Sequence, residues 1–114
     1  MEKFMLLFRG SDAYQPGESP ETLQSLKQKM LQWVVELSFQ GVHVASEPLE
    51  PTGRQVGGTK NAMTDGPFGQ GREVIGGCTI VKARDLDAAV EIAKACPILA
   101  SNASIEVRPI QKVP

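Results

Sequence analysis

The apolar run Phe4–Phe8 ("FMLLF") sets the first constraint on this fold, because it offers no polar face. A strand with one face in water alternates apolar and polar residues, whereas a run that is apolar throughout needs cover on both sides. The run is interrupted at Arg9, no small-residue cleavage site follows, and it falls far short of a bilayer span. It therefore reads as a buried first strand, neither a leader peptide nor a membrane segment.

Two helices follow from pattern and caps. In "SPETLQSLKQKMLQWVVELSFQG" Ser19 is placed to cap, Pro20 fits the first helical turn and Glu21 suits its positive end. Leu23, Leu26, Met30, Trp33, Val34 and Leu37 form one apolar stripe, and Gly41 is the natural stop. Asp85 caps "LDAAVEIAKAC", whose inner face is Leu86, Ala89, Val90 and Ala93, and Pro97 ends it. Strands are expected at Val42–Ser46, Lys60–Thr64, Val74–Ala83 and Ser104–Ile110, with a loop over Pro48–Gly58. In the last strand Ile105 and Val107 point one way, Glu106 and Arg108 the other.

The order is β-α-β-β-β-α-β, or β-α-β-β-α-β with the short third strand taken as a hairpin elaboration. This predicts an α+β, ferredoxin-like antiparallel sheet with both helices on one face. The first strand then needs cover on its other side, and a second copy of the chain can supply it. At 114 residues there is room for one domain, residues 1–114, and one core.

Composition excludes several functions. Net charge is −1 with the signs interspersed, so no basic block is present to neutralise a run of phosphates, and nucleic acid is not expected as a partner. One histidine, two isolated cysteines and scattered acids make no coordination set, so neither metal nor cofactor is expected. Cys78 and Cys96 are too few for a disulfide framework, which suits a cytoplasmic protein with reduced thiols.

The stretch "TDGPFGQGREVIGG" (64–77) carries the candidate chemistry. With "IEVRPI", "KFMLLFRG", "SPE" and "DLDAAVEIAKACPIL" it resembles the YCII-related family, in particular its DGPF branch, over almost the whole chain. The resemblance implies a homodimeric α+β barrel of two ferredoxin-like protomers. Muconolactone isomerase and small cofactor-free monooxygenases belong to the same wider group. It also implies a His–Asp pair in a cleft. Asp65 matches the acid, but no histidine stands where the family's would.

Asp65 supports two readings. Asp-Gly is a turn signal, since the carboxylate bonds to nearby N–H groups and glycine accepts positive φ. Alternatively, a carboxylate desolvated beside Pro67 and Phe68 becomes a general base, with Phe68 stacking on a ring-shaped small molecule. The latter implies cofactor-free proton transfer, elimination or isomerisation; a non-catalytic binding domain or a structural dimer module uses the same residues differently.

Arg72 and Glu73, read as the start of the long strand, could hold an anionic ligand and line the cleft, or be exposed strand-end charges. Trp33 is a core residue by pattern, or presents its indole to the cleft from an edge. Gly76 and Gly77 imply a close approach, with packing the simpler cause. His43, without a second histidine, reads as a satisfied strand residue, and no serine has an evident base.

Overall fold

The computed structural model describes residues 1–66 and 71–114. Its main sheet has four antiparallel strands: β1 (Glu2–Arg9), β2 (His43–Pro48), β5 (Ile75–Ala83) and β6 (Ser104–Pro109), ordered β2-β5-β1-β6. Helix α1 (Pro20–Phe39) links β1 to β2, and α2 (Leu86–Lys94) links β5 to β6. This is the expected ferredoxin-like α+β arrangement. Between β2 and β5 the chain forms a separate hairpin of β3 (Arg54–Gly57) and β4 (Ala62–Asp65).

The caps work as the sequence implies. Ser19 Oγ accepts from the Thr22 N–H, Asp85 accepts from the Ala88 N–H, and Gly41 takes a left-handed φ of 75° just beyond α1. On the helix side, Phe4, Leu6 and Phe8 of β1 and Val81 of β5 pack against Trp33, Leu37, Ala89, Ala93 and Ile98. Ile105 and Val107 of β6 join the same core, so β6 faces the way its alternation predicts. Each fully buried aliphatic or aromatic side chain contributes about 1.5–3 kcal/mol.

Several boundaries differ from expectation. The Pro48–Gly58 segment is not all loop, because β3 lies inside it and pairs with β4, its register running from Arg54 opposite Asp65 to Gly57 opposite Ala62. Gly-rich, polar residues with one valine gave no alternation to read. Arg72 and Glu73 do not begin the long strand: they sit in a 3-10 turn, Gly71–Glu73, and β5 starts at Ile75. Leu86 is exposed at the first turn of α2 and does not share that helix's buried face. Helix α2 ends at Lys94, short of the expected Cys96, and Pro97 starts a 3-10 turn to Ser101.

The other face of the sheet holds Met5 and Leu7 of β1 opposite Ile80 and Cys78 of β5, all only partly buried. At its β6 end, Glu106 bonds Arg9 at 3.1 Å and Arg108 at 3.3 Å. The Arg9 hydrogen bond is the main reason its carboxyl is held below the usual range. The molecule is a slab of 45 × 43 × 18 Å, one sheet and one helix layer thick. Among the described residues no helix is long and apolar enough to cross a membrane.

Leu6 is wholly buried at the centre of β1, so Leu6→Ala is expected to cost about 2–5 kcal/mol in urea unfolding. Ser19→Ala should cost about 0.5–2 kcal/mol through the lost cap.

Candidate functional site

A cleft of about 750 Å³ opens between α1 and the β2–β5 half of the sheet. Leu23, Met30, Leu31 and Val34 of α1 form its apolar wall; Gly76, Gly77 and Thr79 of β5, with Ser46 and Pro48 of β2, form its floor. Tyr14 lines it from a 3-10 turn, Asp12–Tyr14, that follows β1. Apolar walls with a few polar groups on one side suit a small, flat ligand.

Two interruptions of the strand ladder shape this floor. The β1–β5 register passes from Phe8 opposite Gly77 to Arg9 opposite Ile75, leaving Gly76 as the extra residue. The β2–β5 register passes from His43 opposite Val81 to Ala45 opposite Ile80, leaving Val44 extra. A bulge bends its strand and re-aims side chains. At Gly76 the space of a Cβ is already filled by the Tyr14 ring; at Gly77 a Cβ would stand 3.0 Å from the Glu47 carbonyl oxygen. The two glycines therefore exist for packing within the chain.

The second bulge brings polar groups together. His43 Nε2 lies 2.9 Å from Ser46 Oγ, and Ser46 Oγ lies 2.9 Å from Thr79 Oγ1. Thr79 is almost fully buried, while Ser46 and His43 are partly so. No spacing rule could find this group, because residues three apart in a regular strand face opposite ways. The expectation that no serine has a base is corrected: the bulge supplies Ser46 with His43.

Of the residues singled out from the sequence, Trp33, Arg72, Glu73 and Asp65 lie outside this cleft. Trp33 is core, 5% exposed, with its ring edge-on to Phe8 at 6.4 Å between centroids, and it does not reach the cleft. Its place in the middle of the α1 stripe points it inward. Arg72 pairs with Asp12 at 2.7 Å and donates to the Gly10 carbonyl, so its charge pins the turn carrying Tyr14. Glu73 is exposed, and its carbonyl accepts from Arg9. Neither lines the cleft.

Asp65 ends β4, its side chain 90% exposed and 3.4 Å from Arg54 across the hairpin. A carboxylate so exposed keeps its hydration in the single chain and does not line the cleft. Gly66 follows with φ 89°, as a turn after Asp requires. Pro67 and Phe68 lie outside the described residues. Among the described residues no three His, Cys, Asp or Glu side chains gather as a metal-binding group.

Tyr14 is pushed up from 10.0 to about 12, by burial first and by nearby Cys96 second. Burial pushes the Cys96 thiol up from 9.0 to about 11, a hydrogen bond from Ile98 opposing it in part. Both fold in their neutral forms, and Tyr14 stays a hydroxyl donor at the cleft throughout the physiological range. Raised folded values mean stability that is complete below the unfolded value and lost as pH rises through the folded one. Urea stability is therefore expected to hold up to about pH 9 and to fall towards about pH 12, with Tyr14→Phe flattening the upper part of the decline. Gly76→Ala should drive the Tyr14 ring from its seat and change the absorbance and fluorescence of that lone tyrosine.

The chain covers 95% of its length in superposition on 93% of the 5-chloro-2-hydroxyhydroquinone dehydrochlorinase of Burkholderia phenoliruptrix AC1100, solved in complex with 2,5-dihydroxybenzoquinone. The TM-score is 0.53 at 14% sequence identity, a likeness of fold. No curated protein matches the chain in sequence. The profile of the YCII-related domain matches residues 3–113, very nearly the whole sequence, and the chain thus belongs to the YCII-related family.

Proposed function

We propose that the protein is a cytoplasmic homodimer of the DGPF branch whose α1–sheet cleft takes a small, flat, hydroxylated molecule and carries out cofactor-free proton transfer, elimination or isomerisation on it. The cleft itself carries this reading: about 750 Å³, largely apolar, with Tyr14, Ser46 and Thr79 among its lining residues. A ring fits between the α1 wall and the glycine floor, and the hydroxyls can bond to its substituents. The related fold of a dehydrochlorinase holding a dihydroxylated quinone supports the same class of ligand. The free thiols of Cys78 and Cys96 suit a reducing compartment.

Dimerisation is supported by the partly buried Met5, Leu7, Cys78 and Ile80 on the face away from the helices. Sheet-on-sheet packing through that face leaves both α1 clefts open to ligand. Light scattering after size exclusion is expected to give twice the chain mass, and a stable monomer at micromolar concentration defeats the dimer.

Ligands are sought by thermal shift against hydroxylated aromatics and lactones, with turnover followed by ultraviolet absorbance. Leu31→Arg, at a 65% exposed position on the cleft wall, should leave the fold intact and weaken an uncharged ring by about tenfold. Stabilisation without turnover would favour a binding domain over an enzyme. Asp65→Asn is expected to leave binding and turnover within about twofold, since the amide still accepts turn hydrogen bonds. A loss of about a hundredfold or more would restore Asp65 as the base, reaching a cleft through the dimer.

A further inference from the structure

We propose that His43 and Ser46 form the proton-accepting pair of the cleft, with Thr79 orienting the Ser46 hydroxyl, and that the ligand's reacting group is an acidic ring hydroxyl or enol. This rests on the cleft reading above.

Ser46 Oγ has one proton and two lone pairs. Its proton can go to His43 Nε2, and one lone pair can accept the Thr79 hydroxyl; both partners are at 2.9 Å. The remaining lone pair is available to a ligand, because Ser46 and Thr79 line the cleft. When a ligand hydroxyl gives its proton to Ser46 Oγ, the O–H bond of the ligand breaks and a new one forms on Ser46. The original Ser46 proton moves to His43 Nε2. The products are a ligand oxyanion and an imidazolium, with atoms and charge balanced.

The backbone argues that this pairing is built in. Without the extra residue Val44, His43 and Ser46 would lie on opposite faces of β2. With it, both share a face with Thr79 and Val81, beneath α1. Bulges on edge strands also discourage edge-to-edge pairing. Edge protection alone, however, does not call for a hydroxyl pair joined to an imidazole and opening on an apolar cleft.

Proton affinity selects the ligand class. The acceptor is a nitrogen base reached through a neutral hydroxyl, so the relay serves only a ligand hydroxyl acidic enough to part with its proton to it. An electron-poor phenol, a hydroxyquinone or an enol qualifies, whereas an alcohol or a simple phenol does not. Tyr14, held neutral in the same cleft, can donate to the resulting oxyanion.

The test uses 4-nitrophenol, whose anion alone is yellow, at a pH where about half of the free phenol is ionised, the phenolate signal being the rise in anion on binding above that of the free phenol. Binding is followed by calorimetry and ionisation by absorbance. The wild-type protein should bind the phenol and deepen its yellow. Ser46→Ala and His43→Gln, at part-exposed edge-strand positions, should bind it within about threefold while the phenolate signal falls by about tenfold or more. Ser46→Thr, which keeps a hydroxyl, should recover most of that signal. Binding of the neutral phenol by the wild type, or equal ionisation by both deletion variants, would falsify the relay and leave the cleft reading standing. No binding by the wild type would overturn both.

Discussion

The one-sided burial of β1 governs the rest of the molecule. Phe4, Leu6 and Phe8 lie under the helices, and their packing with Val81, Trp33 and Leu37 decides which way every neighbouring strand must face. A shift of one residue in β1 would put Met5 and Leu7 inward and bring Lys3 and Arg9 towards the core, at the cost of desolvating two cations. The register is therefore strongly specified at the centre of the sheet. It is less so at the β2 edge and at the end near Gly76, where both bulges occur. The cleft forms where the ladder is interrupted.

That division explains what could be read from the sequence. Helices α1 and α2 follow from apolar periods and caps that act within a few residues, and Ser19 and Asp85 cap as their chemistry dictates. The ferredoxin-like order follows from the two helices set between antiparallel strands, and β6 declares its inner face by its own alternation. The α1 cleft wall was legible as a stripe, and Trp33 within that stripe takes the core place its pattern gave it, not the cleft-edge alternative. A large aromatic at the centre of a stripe packs inward because that is where it removes the most surface from water.

The polar floor was not legible, for a different reason. His43 and Ser46 are three residues apart, and Thr79 is distant in sequence. Only the extra residue at Val44 aligns them, and a bulge leaves no mark in an otherwise ordinary strand. Gly76 did signal a close approach, but not that the visitor is Tyr14, arriving from a turn that Arg72 secures through Asp12 and Gly10. Arg72 was read as an exposed strand-end charge or a ligand anchor, whereas its guanidinium holds the turn that carries Tyr14.

On the proposed function the two faces of the sheet would divide the labour. The helix side is bulged and lined with hydroxyls, and its glycines are spaces that Tyr14 and the Glu47 carbonyl already occupy. The opposite face is regular and apolar at its centre, with the Arg9–Glu106–Arg108 cluster at its margin. Such a face suits association between copies, since interfaces place apolar residues centrally and charges at the rim. Association through it would rigidify β1 and β5 from behind, where β5 carries the cleft's glycines and Thr79. In that arrangement assembly and ligand binding share two strands without competing for a surface, and the dimer would stiffen the floor on which Ser46 and His43 are aligned.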